Sequence, residues 1–331
     1  MVIPTFNGRS LLERCLLSIE RHRPDDPGLA IEVIVSDDAS TDGTADWLAR
    51  MHPQVRVVRR ERNEGFCAAA NAGIAAARGR FVQLLNNDTE VAAGWLEGGL
   101  APFADPAVAS VAPLVVVRSE PERVDSAGDS YSLLGWPTKR GHGQPRTLFA
   151  DRSVEEVFGA SGSSAFYRSA ALRKVGGYDP LLGSYYEDID LAFRLRWAGY
   201  RCLFAPRSLV YHDVSATYDH GSPSLQRRLA RNAEIVFWAN LPTGLLALAI
   251  VPHLLFVLVQ AVWRTLRGRL RPFVLGKYDA IREWRAIMAR RGGRGALARK
   301  AVAPPHFAVG IGSLREVGNH LMRPREQSSK T

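Results

Sequence analysis

Over the first 110 residues, short β-rich runs alternate with stretches of helical period. Val2-Ile3-Pro4 reads as a first strand, either truncated or continuing upstream, and Ser10-Leu11-Leu12-Glu13 has the spacing of a capping box that opens a helix running to about His22. Ile31 to Val35 predicts a second strand, followed by the polar turn Asp37-Asp38-Ala39-Ser40-Thr41-Asp42-Gly43 and a helix from Thr44 to about Met51. Val55 to Val58 predicts a third strand, the Ala-rich run Phe66 to Arg78 a helix, and Phe81 to Leu85 a buried strand ending in Asn86-Asn87-Asp88. Strand and helix in alternation with short connections imply right-handed βαβ units and a mainly parallel, Rossmann-like sheet flanked by helices.

From Val111 to Phe158 the pattern loosens, and hairpins with a long loop are expected. Then follow a strand over Ser164 to Tyr167, a short helix from Ser169, a Gly176-Gly177-Tyr178-Asp179-Pro180 turn, an amphipathic helix from Glu187 to Ala198 and a strand over Cys202 to Ala205. These divisions predict a catalytic domain over 1–222 and a C-terminal extension over 223–331.

The 331 residues carry a net charge of +10, unevenly distributed. Residues 224–331 hold 19 Lys and Arg against 5 Asp and Glu, whereas residues 1–223 hold 24 against 28. A basic segment of this size suits an anionic surface, or is simply well solvated. Within it, no charged residue occurs from Ile235 to Trp263. Leu241 to Trp263 approaches the length of a membrane span of about 20 residues. Arginines flank both of its ends, which disfavours crossing, and Pro252 predicts two short helices lying in or dipping into the interface; buried core helices are the alternative. No secretory signal opens the chain, so the front part is expected to remain where it is made. Three scattered cysteines exclude a disulfide framework or a cysteine zinc site.

No G-x-G-x-x-G follows the first strand and no P-loop motif occurs, which argues against a dinucleotide dehydrogenase and a P-loop phosphotransferase. The strand ends offer carboxylates and amides instead. In parallel sheets ligands bind beyond those ends. An Asp flanked by Asn can bind an oxygen-loving divalent cation, and Asp37 or Asp38 can accept a hydrogen bond from a base imino group. Taken singly, Asp37-Asp38 reads equally as a helix-capping turn, Asn86-Asn87-Asp88 as an ordinary turn, and Glu187-Asp188-Ile189-Asp190 as an acidic helix start.

Together, Val2-Ile3-Pro4-Thr5-Phe6-Asn7, Val35 to Thr44, Asn63-Glu64-Gly65-Phe66 with Asn71, Leu85 to Thr89, and Gly176 to Asp179 leading into Glu187-Asp188 resemble the family 2 glycosyltransferases of GT-A fold, in particular rhamnosyltransferase-like members. The resemblance runs from Val2 to about Asp213. It implies an inverting transferase acting on a nucleotide-sugar donor, dTDP- or UDP-linked with dTDP-rhamnose among the candidates, and a lipid-linked or polysaccharide acceptor of the cell surface. It places the donor against Thr5, Asp37, Asp38, Asn71 and Asn87. A divalent cation, Mn2+ or Mg2+, falls to Asp88 and His212, and Asp188 becomes the catalytic base. The family's D-x-D signature stands here as Asn86-Asn87-Asp88, with one carboxylate fewer. The setting implied is the cytoplasmic face of a membrane, with an anionic lipid surface as partner to the extension and no nucleic acid. A nucleotidyltransferase on a similar sheet is a second reading, but Asn7-Gly8-Arg9 is not its signature loop. A non-catalytic nucleotide- or nucleic-acid-binding protein is a third.

Overall fold

The computed structural model describes residues 1–26, 28–214, 222–307 and 311–312; the part of the predicted extension over 313–331 lies outside the described residues. In chain order the front half holds β1 (Val2–Thr5), α1 (Arg9–Arg21), β2 (Ile34–Asp37), α2 (Thr44–Met51), β3 (Arg56–Arg59), α3 (Phe66–Ala76), β4 (Phe81–Leu85), β5 (Thr89–Val91), α4 (Trp95–Leu100) and β6 (Val108–Val117). There follow β7 (Glu120–Ser126), β8 (Asp129–Ser132), β9 (Pro137–Lys139), α5 (Thr147–Ala150), β10 (Glu155–Val157), β11 (Ser164–Arg168), α6 (Ser169–Val175), α7 (Glu187–Trp197) and β12 (Arg201–His212). The C-terminal region is helical: α8 (Pro223–Asn240), α9 (Thr243–Leu266), α10 (Leu270–Arg282) and α11 (Trp284–Arg299).

One sheet runs β10-β12-β6-β11-β4-β1-β2-β3, with β5 and β7 pairing at its side. Its β4-β1-β2-β3 half is parallel, as expected, and β11 inserts antiparallel between β4 and β6. Strand alternation divides the interior into two layers: Val2, Ile34 and Leu84 enter one core, and their neighbours Ile3, Val35 and Leu85 enter the other. Helix α1 covers the second layer with Leu12, Cys15, Leu16 and Ile19, an i, i+3, i+4, i+7 stripe.

Four expectations are corrected. Helix α1 begins at Arg9 after Gly8, so Ser10 lies inside its first turn and no capping box forms. The stretch expected to be loose after Val111 opens with the central strand β6, buried along nearly its whole length. Pro113 is tolerated there because it faces Ala205, where the pairing of β6 with β12 shifts register, and the ladder needs no proline N–H at such an irregularity. Helix α7 is buried all round rather than on one face, since the C-terminal helices cover its outer side and Asp190, Arg194 and Arg196 are buried with partners. The apolar stretch forms one helix, α9, rather than two. Pro252 removes one backbone bond, but Ala249, His253 and Phe256 pack on both sides of it along one stripe and hold the halves in line.

Helix α8 sends Ile235, Val236, Phe237 and Ala239 into the same core as Tyr131, Phe193 and Phe204. All three cysteines are free and buried.

Candidate active site

Four of the sheet's loops meet at one edge. At the end of β1, Thr5 is buried and its Oγ1 accepts from Asn87 Nδ2 at 2.9 Å, which joins the ends of β1 and β4. Gly8 permits that reach: a Cβ there would stand 2.3 Å from Asn87 Nδ2. At the end of β2, Asp37 is fully buried, with Oδ1 accepting from the Ser40 N–H at 3.0 Å. Its Oδ2 finds no hydrogen-bond partner among the described residues. Asp38 accepts from the Gly65 N–H at 2.7 Å and lies 3.0 Å from Arg60 Nε, so it fixes the loop before α3. Burial pushes its carboxyl above the ordinary value, against the pull of Gly65 and Arg60.

Asn71 faces the glycine turn. Its Nδ2 donates to the Tyr178 carbonyl and its Oδ1 accepts from the Tyr178 N–H, both at 2.8 Å, so both ends of the amide are engaged in locking α3 to residues 177–178. Gly177, at φ +66°, is required there, because a Cβ would meet Asn71 Oδ1 at 2.5 Å.

Asp88 and His212 come together as the sequence suggests. His212 Nε2 lies 3.5 Å from Asp88 Oδ1, a buried atom without a hydrogen-bond partner among the described residues. The far side of the imidazole is held by a residue that sequence reasoning missed: Nδ1–H donates to Asp125 Oδ2 at 2.9 Å. Asp125 is fully buried at the end of β7 and also takes Lys139 Nζ at 2.9 Å on each oxygen. Burial opposes its ionisation, yet Lys139, His142 and His212 outweigh that and hold it well below the usual carboxylate range. Burial likewise works against a charged His212, but the hydrogen bond to Asp125 and the nearby charge of Asp88 prevail and lift it to about 9, and a cation at Nε2 would have to displace that proton. Nothing in Val124-Asp125-Ser126 marks this role in the sequence, because only the pairing of β7 with β6 and of β6 with β12 brings it to His212.

An oxygen and an imidazole nitrogen directed at one place, with the second ring nitrogen anchored on a carboxylate, fit a divalent cation. Among the described residues no group of three His, Cys, Asp or Glu side chains could hold an ion.

Asp188 begins α7. Its Oδ2 accepts from the Gly162 N–H at 2.9 Å, while Ser163 O accepts from the Asn86 N–H at 3.0 Å. Two adjacent loop residues thus tie the Asp188 carboxylate to the Asn86-Asn87-Asp88 turn. Burial pushes both Asp188 and its neighbour Glu187 upward, and the charge of Asp188 adds to the effect on Glu187. Asp190 differs: burial is overridden by Arg194 at 2.7 Å and Arg294 at 2.9 Å, which hold it ionised and structurally committed. Asp129, fully buried nearby, is pushed well above the ordinary range by burial and by the Asp188 charge.

The turn that delivers Asp188 is strained. Tyr185 and Tyr186 sit at φ +68° and +69°, where bulky residues are outliers. Asn232 of α8 fixes them: its Nδ2 donates toward the carbonyls of Leu182, Ser184 and Tyr185 at 2.8–3.0 Å.

The family model for glycosyl transferase family 2 matches residues 1–176, and the chain belongs to that family. It is 33% identical over 217 residues to the pre-mycofactocin glycosyltransferase of Mycobacterium tuberculosis, an alignment covering 64% of this chain and 42% of that protein. It is 28% identical over 239 residues to the N-acetylglucosaminyl-diphospho-decaprenol L-rhamnosyltransferase of the same organism, covering 64% of this chain and 75% of the relative. The chain therefore spans about two fifths of the first relative's length. Among solved structures, GalNAc-T7 with UDP, GalNAc and Mn2+ superposes with a TM-score of 0.55 at 21% identity, over 71% of this chain and 47% of that one. The mannosyltransferase PcManGT from Pyrobaculum calidifontis, in complex with GDP-Man and Mn2+, gives 0.52 at 20% identity, over 90% of this chain and 86% of that one. These two superpositions show the fold.

Proposed function

We propose that this glycosyltransferase moves a sugar, with inversion, from a dTDP- or UDP-linked donor to a lipid-linked or polysaccharide acceptor in cell-surface glycan synthesis, and that it works on the cytoplasmic face of the membrane. dTDP-rhamnose is the first donor to test, given the likeness to a rhamnosyltransferase. The observation that carries the reading is Asp188: one carboxylate oxygen is pinned by Gly162, on a loop shared with the donor-side turn.

Direct displacement needs the acceptor hydroxyl deprotonated on the face opposite the leaving diphosphate, and a single fixed carboxylate can do this. Its raised proton affinity brings it nearer to working pH, which strengthens it as a base. Thr5 and Asn87 shape the floor under the donor, and Asp37 with Asp38 faces the base. Asp88 and His212 would hold Mn2+ or Mg2+, which supplies Lewis-acid stabilisation of the leaving diphosphate when bound.

A donor screen tests this by following nucleoside diphosphate release from dTDP-, UDP- and GDP-sugars with and without Mn2+ or Mg2+, together with NMR of the product's anomeric configuration. Cation-dependent release and an inverted product are expected. Release that is unchanged by chelation, or a retained configuration, would overturn the reading.

A further inference from the structure

Helix α9 is two-faced in an unusual sense, since its two basic side chains, His253 and Arg264, are buried while most of its large apolar ones are exposed. Along one stripe, His253 is 2% exposed; its Nδ1–H donates to Leu134 O at 2.7 Å and its Nε2 lies 3.1 Å from Glu234 Oε2. About three turns further on, Arg264 is buried, donates to Gln226 Oε1 at 2.6 Å and sits over the Phe273 ring at 4.8 Å. Phe256 packs edge-on against Trp136 between them. The opposite stripe, Leu248, Val251, Leu255, Leu258, Val262 and Leu266, is between 57% and 81% exposed. The neighbouring α10 adds exposed Val274, Tyr278 and Ile281.

This is the one described helix long and apolar enough to cross a membrane. Crossing would require α9 to leave the protein, stripping His253 and Arg264 of Glu234 and Gln226 and placing a charged guanidinium in hydrocarbon. Remaining in water would leave a continuous apolar stripe from Leu248 to Leu266 exposed, which monomeric soluble proteins rarely tolerate. Lying in the plane of a bilayer satisfies both sides. The exposed arginines near the stripe, Arg267, Arg271, Arg282 and Arg285, are the charge complement of anionic headgroups.

We infer that α9 is an in-plane anchor, its outer stripe sunk into the headgroup boundary of an anionic bilayer while its polar stripe stays bolted to the catalytic unit. The inference rests on the membrane-side reading above and specifies how the membrane is held. The β8–β9 hairpin touches α9 through Leu134 and Trp136 and supplies Lys139 to Asp125, so the anchor and the cation pair share one rigid connection.

The test uses the full chain and phosphatidylcholine vesicles with and without phosphatidylglycerol. Flotation with the anionic vesicles is expected, with partitioning reduced by about tenfold or more in the double variant Leu255→Glu, Leu258→Glu, whose side chains are mostly exposed. An environment-sensitive fluorophore on Leu255→Cys, where the three native thiols are buried, should be quenched by lipids brominated near the headgroup. Equal flotation of wild type and double variant would overturn the inference. So would quenching only by bromines at the bilayer centre together with resistance to alkaline carbonate, which marks a span, or a vesicle-free homodimer that shields the label. Nucleoside diphosphate release measured without vesicles separates this from the proposed activity: release without flotation sinks only the anchor, and flotation without release from any donor sinks only the activity.

Discussion

Asp188 and Asp190 lie two residues apart on the same turn of α7, and only their surroundings separate the proposed base from a strut. Asp190 is neutralised by two arginines, whereas Asp188 accepts from the Gly162 and Ile189 backbone N–H groups and keeps a raised proton affinity. Asp188→Asn should therefore cut turnover by about 100- to 10,000-fold with donor affinity nearly unchanged, measured by single-turnover kinetics and calorimetric donor titration. Retained turnover would move the base to Glu187. Asp125 would act at one remove, through His212. Asp125→Asn should weaken Mn2+ binding by about 10- to 100-fold, read by the paramagnetic signal of free Mn2+ in the presence of nucleoside diphosphate. Asp88→Ala should weaken Mn2+ binding at least as much, and binding of the nucleoside without its phosphates should survive both changes. A residue that merely supported the fold would lower all of these together.

At the scale of elements, α8 braces the turn that leads to Asp188. Its Asn232 amide holds three carbonyls of a turn with two residues in left-handed conformation, a geometry that costs about 1–3 kcal/mol per residue and persists only when over-determined. Asn232→Ala should release that turn. The expected result is a fall in turnover larger than the rise in KM and a stability loss of about 1–3 kcal/mol in denaturant titration. Asn232→Asp keeps one acceptor oxygen in place of the donor and should not rescue it. A chain ending near Ser222 loses this amide along with Arg294, which neutralises Asp190, and should fail to form the α7 start even if the sheet survives.

For the whole molecule, Glu234 is the joint between the catalytic unit and the anchor. It pairs with His253 of α9 and Lys277 of α10, and Trp238 Nε1 donates to it at 2.8 Å. Burial alone would raise its carboxyl, but His253 and Lys277 prevail and bring it from 4.5 to about 2. A depressed carboxyl contributes stability that is complete above its unfolded value and is lost as pH falls toward the folded one. The docking of α9 and α10 should accordingly loosen between pH 4.5 and about 2, visible as a falling melting temperature and rising amide exchange over residues 243–282. In Glu234→Gln that pH dependence should flatten, and the variant should be less stable at neutral pH.

The amino-acid order by itself determined the elements whose signals are local. The bounds of α2 at Thr44–Met51 and of β4 at Phe81–Leu85 follow from the polar turn that ends at Gly43 and from a short run apolar except for Gln83, and the strand-end clusters at Thr5, Asp37-Asp38 and Asn86-Asn87-Asp88 follow from strand ends in a parallel sheet. Tertiary structure decided what depends on partners distant in sequence. β6 looked irregular because Pro113 breaks the local pattern, and only its neighbour β12, with a register shift opposite that proline, makes it a central strand. Asp125 carries no local mark, since its meaning comes from a histidine 87 residues away. The face of α9 was not legible either: composition gives a run of apolar residues interrupted by Pro252, His253 and Gln260, and only packing against Glu234 and Gln226 shows that the polar positions turn inward and the leucines outward.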